Sequence, residues 1–280
     1  MDSPSGLIPA IDTLGYVVDE ELATVIYLMM QLEKPLLLEG NPGVGKTKVA
    51  YILSELLGYE LIRLQCYEGL DVSNAIYEWN YQKQLLAIKI HEGSDKTAQE
   101  KESLIFGEDY LLQRPLLKAI YADQPKVLLI DEIDRADEEF EAFLLELLSD
   151  FQISIPELGT IQAKHRPIVV LTSNRTRELS DALKRRCLYH WVDYPSPEKE
   201  MRIIKKHLPN IETQLAEEIA AYVERIRNLK LDKSPGIAET IDWARGIAQF
   251  PQDEQAFYKS LSCLLKSNSD IKQVQEALFA

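Results

Sequence analysis

Gly40-Asn41-Pro42-Gly43-Val44-Gly45-Lys46-Thr47 reads G-x-x-x-x-G-K-T, and this stretch decides the fold. Its glycines permit a tight loop whose backbone N–H groups converge on one anion. The Lys46 ammonium can reach the β- and γ-phosphates of a nucleotide, and the Thr47 hydroxyl can ligate Mg²⁺. Such a loop needs a strand before it and a helix after it. Pro35-Leu36-Leu37-Leu38-Glu39 is a short apolar run of buried-strand type. Lys48 leads into a stretch to Leu57 that places Val49, Ile52, Leu53, Leu56 and Leu57 at helical spacing, and Gly58 suits its end.

A phosphate loop alone only binds. Hydrolysis also needs a carboxylate to position metal and a group to orient or deprotonate water. Val127-Leu128-Leu129-Ile130-Asp131-Glu132 supplies both, as an apolar run ending in two acids. The carboxyl ends of central strands are where open α/β sheets place ligands. Asp131 is expected to hold Mg²⁺ and Glu132 to polarise the attacking water. The alternative is that Asp131 caps the next helix, with Glu132 in its first turn. Thr172-Ser173-Asn174 ends the following strand, where Asn174 can bond the same water or the γ-phosphate. Leu183-Lys184-Arg185-Arg186-Cys187 carries two consecutive arginines before a further strand. They are either a solvated face or a cationic group lent to a neighbouring subunit's nucleotide.

Working outward, residues 19–33 read as a helix and 61–64 as a strand. Residues 115–122 read as a short helix and 126–131 as a buried strand. Residues 137–149 form an amphipathic helix, with Phe140, Phe143, Leu144, Leu147 and Leu148 on one face. A hairpin is expected over 151–163, and strands over 167–172 and 188–193. Residues 66–110 are less regular, with Tyr67, Tyr77, Trp79 and Tyr81 and then a polar stretch from Glu92 to Glu102 expected as an exposed loop or helix end. After Tyr194-Pro195-Ser196-Pro197 only helical periodicity remains. Strands alternating with helices imply an α/β fold with a parallel sheet. The expected division is an α/β nucleotide-binding domain over 1–194 and a small all-helical domain over 195–280.

The chain of 280 residues carries a net charge of −14, which disfavours broad binding to nucleic acid phosphates. No apolar run approaches the roughly 18 residues of a membrane span. Met1-Asp2-Ser3-Pro4 lacks the basic start and apolar core of a signal peptide. Cys66, Cys187 and Cys263 form no C-x-x-C, and His91, His165, His190 and His207 are scattered. The expectation is a cytoplasmic protein without a zinc site.

These signals in this order resemble the AAA+ ATPases: phosphate loop, Asp-Glu after a buried strand, terminal Asn, Arg before the fifth strand, then a helical lid. Leu36 to Thr47 resembles the MoxR family's form of the loop. Arg114-Pro115-Leu116 and Leu129-Ile130-Asp131-Glu132-Ile133-Asp134-Arg135-Ala136 are similar to that family's G-P-L and D-E-I-N-R-A stretches, with Asp134 in place of Asn. The hairpin at 151–165 sits where that family has its pre-sensor insertion. Residues 177–187 and 235–244 resemble the CoxD-like branch. The resemblance implies a chaperone-like ATPase that uses ATP and Mg²⁺ and works as a ring, commonly a hexamer. It also implies a von Willebrand A-domain partner and a protein client. CoxD-like members are linked to maturation of molybdenum hydroxylases such as carbon monoxide dehydrogenase.

By resemblance, Lys46 and Thr47 match the loop's Lys and metal-ligating Thr. Asp131 and Glu132 match the metal and catalytic acids, and Asn174 matches sensor 1. Arg186 matches the arginine finger, because Arg186-Cys187 takes the place of R-F, with Arg185 in reserve. One departure stands out. Where the family has a lid arginine in S-P-R-A, this chain has Ser234-Pro235-Gly236-Ile237. Related rings turn the segment after the second strand toward the pore, so Tyr67, Tyr77, Trp79 and Tyr81 either grip a client or pack against the sheet. The competing readings are an ATP-binding scaffold with little turnover and a DNA-acting AAA+ protein.

Overall fold

Nine strands are present among the described residues, 3–90, 97, 105–250 and 254–278 of a computed structural model. They are β1 (Leu36–Gly40), β2 (Glu60–Gln65), β3 (Tyr77–Trp79), β4 (Leu111–Gln113), β5 (Lys126–Asp131), β6 (Gln152–Ile155), β7 (Gly159–Gln162), β8 (Ile168–Ser173) and β9 (Leu188–Val192). Five of them form one sheet in the order β2-β5-β8-β1-β9, and the β2–β5, β5–β8 and β8–β1 pairings are parallel. Leu36–Leu38 and Val127–Ile130 have no exposed surface. This is why those strands read as unbroken apolar runs, as strands of a sheet covered on both faces must. The fold is a phosphate-loop α/β fold with helices flanking the sheet, followed by a helical C-terminal region.

The register sets the ends of the central strands. Gln65 pairs with Asp131, Ile130 with Leu171, and Leu38 with Thr172. The carboxyl ends of β2, β5 and β8 therefore stop at one level. After β1 the chain turns into the helix Lys46–Leu57. The helix Glu138–Asp150 begins where Asp137 accepts the Phe140 amide at 2.8 Å, and it ends at Phe151 in the left-handed region.

By contacts the chain falls into two compact units. One comprises Met1–Ala23, Gly40–Lys46 and Trp191–Ala280; the other comprises Thr24–Glu39 and Thr47–His190. The second unit holds the core beneath the sheet, around Leu37, Leu128, Ile130, Phe140, Leu144 and Leu171. The first has its own core of helices, around Ile204, Ile219, Val223, Trp243, Leu264 and Val274.

Among the described residues of 66–110, regular elements appear that the composition does not suggest. β3 and β4 pair antiparallel, Trp79 opposite Leu111, and the helix Tyr81–Ile90 lies between them in sequence. Asn80 starts that helix by accepting the Lys83 amide. Its periodicity is hard to read because the usual pattern is inverted. Gln84 and Ala87 are buried, while Tyr81, Leu85, Leu86, Ile88 and Ile90 are 45–68% exposed. The helix Pro4–Thr13, capped by Ser3, likewise lies outside the elements that the sequence predicts. Apart from Thr97, the polar stretch Glu92–Glu102 lies outside the described residues.

The amino end of the sheet is tied by ions. Glu60 opens β2 opposite Lys126 of β5, and it accepts hydrogen bonds from Lys118 at 2.8 Å and Lys126 at 3.0 Å. These two lysines hold its carboxyl down at about 2, against an ordinary 4.5. A carboxylate whose folded value is lowered stabilises the protein above the unfolded value and loses that contribution as pH falls through the folded one. Glu60→Gln should therefore cost less than about 1 kcal/mol at neutral pH, because the group is exposed. The difference from wild type should close between about pH 4.5 and 2. Urea melts across that range check it, and a gap that widens on acidification contradicts it.

Candidate functional site

The loop Gly40–Lys46 belongs to the first unit. It opens at Gly40, where a Cβ would lie 2.1 Å from the Val192 carbonyl oxygen, so only glycine fits the close approach to β9. Asn41 and Gly45 are half-buried, Pro42 and Gly43 exposed, and Val44 buried. Lys46 is buried, and its ammonium donates to the Gly40 and Asn41 carbonyls at 2.8 and 2.7 Å. The cation is thus held against the loop it serves. Lys48 is an exposed residue in the first turn of the helix.

The acids belong to the second unit. Asp131 is buried at the end of β5. Its Oδ1 accepts the Thr47 hydroxyl at 2.9 Å and the Thr172 hydroxyl at 2.6 Å. Its Oδ2 accepts Arg63 Nε at 3.1 Å and Nη2 at 2.6 Å. Thr47 and Asp131 offer oxygen atoms only, the donor type a hard divalent cation such as Mg²⁺ takes. The arginine on Asp131 occupies one oxygen with the same sign of charge a cation would bring.

Glu132 stands at the N-cap position of a short 3₁₀ helix, Ile133–Arg135, but its side chain makes no cap bond. It adopts φ 56°, ψ 50°, the left-handed region that is costly for a residue with a side chain. Its amide donates to Thr172 Oγ1 at 2.9 Å. Its carboxylate meets Gln65 Nε2 at 3.1 Å, Arg135 Nη1 at 3.3 Å and Asn174 Nδ2 at 3.5 Å. Asn174 therefore comes together with Glu132 at the end of β8. Asp134 explains why an acid stands there. It is buried and accepts the Asn174 amide at 3.1 Å, the Thr176 amide at 2.8 Å and the Thr176 hydroxyl at 2.7 Å, which fixes the turn that carries Asn174.

The two arginines part company. Arg186 bonds within its own chain, through Nε to Ser149 Oγ and through Nη1 to the Ala182 carbonyl at 2.8 Å. Arg185 is exposed, and its guanidinium makes no hydrogen bond or ion pair among the described residues. Burial pushes the thiols of Cys66 and Cys187 up to about 12, so neither ionises near neutrality. Of the aromatic residues after β2, Trp79 is buried edge-on to Tyr77 and Phe106, whereas Tyr67 and Tyr81 are exposed.

Sequence reasoning missed Arg63, Gln65, Arg135 and Thr172. Arg63 and Gln65 alternate with the buried Ile62 and Leu64 along β2, a signal readable as a polar face. Only the register of β2 on β5 tells that this face meets the acids.

A family profile described as AAA domain, dynein-related subfamily, matches residues 35–187. The chain belongs to that family. It is 28% identical over 208 residues to an uncharacterised protein of Staphylococcus epidermidis, covering 72% of this chain and 71% of the relative. A Staphylococcus haemolyticus relative, also uncharacterised, is 25% identical over 272 residues, 93% and 95% of the two chains. Midasin of Giardia intestinalis is 29% identical over 130 residues, 46% of this chain and 2% of that protein. Among solved structures, two point mutants of Thermotoga maritima RuvB superpose with TM-scores of 0.52 and 0.51. They are 20% and 18% identical, with 94% of this chain and 70% and 71% of theirs covered. That likeness concerns the fold. No helix among the described residues is long and apolar enough to cross a membrane.

Thr172 bridges the two acids by donating to Asp131 and accepting from the Glu132 amide. Thr172→Val keeps the shape and removes both bonds. It should cost about 1–3 kcal/mol, the size of leaving buried polar groups unpaired. Chemical denaturation measures this, and a loss below about 0.3 kcal/mol would show that the bridge carries no weight.

Proposed function

We propose that the chain is an ATPase of the MoxR type, in the CoxD-like branch, that remodels or matures a protein client from within a ring, as a hexamer. The observation that carries the reading is Glu132. It is held in a strained left-handed conformation beside Asp131, with Gln65, Arg135 and Asn174 around its carboxylate. Strain kept at one acid, with donors arranged about it, marks a site where an acid is held in place, as a general base must be to reach its proton.

In this reading the amides of Gly40–Lys46 and the Lys46 ammonium bind the nucleotide's phosphates. Thr47 and Asp131 hold Mg²⁺, which neutralises phosphate charge when bound. Glu132 accepts a proton from the attacking water, and Asn174 orients that water. Residues 1–194 act as the nucleotide-binding domain and 195–280 as the lid. Arg185 is the better placed of the two arginines to serve a neighbouring subunit, because Arg186 is engaged at home. The partner is a von Willebrand A-domain protein, the client a metalloenzyme such as a molybdenum hydroxylase, and the compartment the cytoplasm. The exposed apolar residues of the helix Tyr81–Ile90, with Tyr67, supply a surface for unfolded segments of a client.

Two experiments test this. Glu132→Gln should keep ATP affinity while phosphate release falls about a hundredfold or more, the size of a lost general base. Turnover at the wild-type rate would place the base elsewhere. The second uses Lys46→Ala, expected to lose ATP binding, mixed with Arg185→Ala, expected to bind ATP but turn it over roughly 10³–10⁵ times more slowly. Each is inactive alone, and an interface joining an intact pocket to an intact arginine should restore activity on mixing. If Arg186→Ala complements in this way and Arg185→Ala retains activity alone, the roles are reversed.

A further inference from the structure

Within the first unit, the phosphate loop meets the helical C-terminal region backbone to backbone. The Ile237 amide donates to the Gly43 carbonyl at 2.9 Å. A Cβ on Gly43 would lie 2.8 Å from the Gly236 Cα, and a Cβ on Gly236 would lie 2.8 Å from the Gly43 Cα and 3.0 Å from the Gly43 oxygen. Neither position accepts a side chain. Gly43 also needs its φ of +78°. Gly236 has φ −84°, ψ −177°, which any residue adopts. Its glycine is therefore required by the close approach alone.

The donor is held from several sides. Gly236 is the N-cap of the helix Ile237–Ile247, so the Ile237 N–H is among the first amides that the helix leaves without an internal acceptor. The Gly236 amide donates to Glu239 Oε2 at 3.1 Å, and the Gly236 carbonyl accepts the Thr240 hydroxyl at 3.1 Å. One residue earlier, the Pro235 carbonyl accepts Arg227 Nε at 2.9 Å. Arg227 is itself buried in an ion pair with Glu200, Nη2 to Oε1 at 2.9 Å, and stacks 4.5 Å from the centre of the Tyr194 ring. Removing one member of such a pair leaves a buried charge uncompensated. The segment 234–237 has little freedom to move.

We propose that Gly236 and the Ile237 amide are positioning residues for the phosphate loop, a backbone latch that sets the loop for nucleotide phosphates; the proposal rests on the ATP-binding reading above. A trans peptide points its carbonyl and its N–H in opposite directions. Pinning the Gly43 carbonyl therefore fixes the direction of the Val44 N–H, in the middle of the run of amides that a phosphate loop turns on its anion. Without the latch, the Gly43–Val44 peptide can tilt about ψ of Gly43, which has no Cβ to restrict it. A loop already set binds without first being ordered. The segment Ser234-Pro235-Gly236 carries no cationic side chain. Its effect on the phosphates acts through the loop's own amides.

Ile237→Pro is the direct test. It deletes the N–H at the first position of a helix, where proline is best tolerated. The preceding Gly236 is already extended, as a residue before proline must be. Ile237→Val keeps the N–H and a branched side chain and serves as the control. Calorimetry with Mg²⁺ and ATP should show affinity falling roughly three- to tenfold in Ile237→Pro relative to Ile237→Val, the worth of about one hydrogen bond. In phosphate-release assays KM should rise correspondingly, with kcat within about twofold. Gly236→Ala, which keeps the N–H but forces the two backbones apart, should give the same split, and it decides the matter if circular dichroism shows that the proline variant has lost helix. Equal ATP affinity across the variants, or a fall in kcat without a change in KM, overturns the latch while leaving the ATPase reading intact. Failure of the wild-type protein to bind ATP overturns that reading and the latch with it.

Discussion

A buried carboxylate without partners is too costly to keep, and Asp131 sits at the end of the central strand with almost no exposure. Its partners come from separate parts of the chain: Thr47 at the start of a helix, Thr172 near the end of β8, and Arg63 on β2. None of these is near Asp131 in sequence. Arg63 and Thr172 are brought there by the parallel register of β2, β5 and β8, and Thr47 by the helix that follows β1, itself paired with β8; the register is fixed by apolar runs that must be buried on both faces. Hydrophobic burial thus aligns the strand ends, and the charge at Asp131 determines what must stand on them.

The same alignment supports the strain at Glu132. A left-handed acid persists only where its surroundings over-determine it. Here the amide is claimed by Thr172, and the carboxylate is met from three elements by Gln65, Arg135 and Asn174. Asp134 extends the arrangement by fixing the turn after β8, so that Asn174 cannot swing away without breaking bonds to a buried carboxylate. The result is a set of polar groups held in place before any ligand arrives, which is how polar groups contribute most to a reaction.

In the first unit the corresponding constraint is steric. Gly40 against Val192 and Gly43 against Gly236 are contacts that admit no side chain. They let the loop pass close to β9 and to the start of the helix Ile237–Ile247. The buried Arg227–Glu200 pair supports that second contact, because the same guanidinium holds the Pro235 carbonyl beside it. Such a pair is weak evidence for stability and better evidence for a fixed geometry.

The sequence by itself determined the phosphate loop, the Asp-Glu pair, the parallel sheet and the helical C-terminal region. These are local signals: glycines at fixed spacing, apolar runs of strand length, and a change of period after residue 195. The helix Tyr81–Ile90 was illegible because its apolar residues face outward and its buried contacts are Gln84 and Ala87, which reverses the pattern that periodicity detects. Arg63 and Gln65 were legible as a polar face of a strand, but not as neighbours of the acids. The separation of Arg185 from Arg186 depended on which one found Ser149 and the Ala182 carbonyl. Gly236 read only as a missing arginine. Register, side-chain partnership and the approach of one backbone to another relate residues far apart in the chain, so tertiary structure alone decided them, because no local propensity encodes a distance between remote segments.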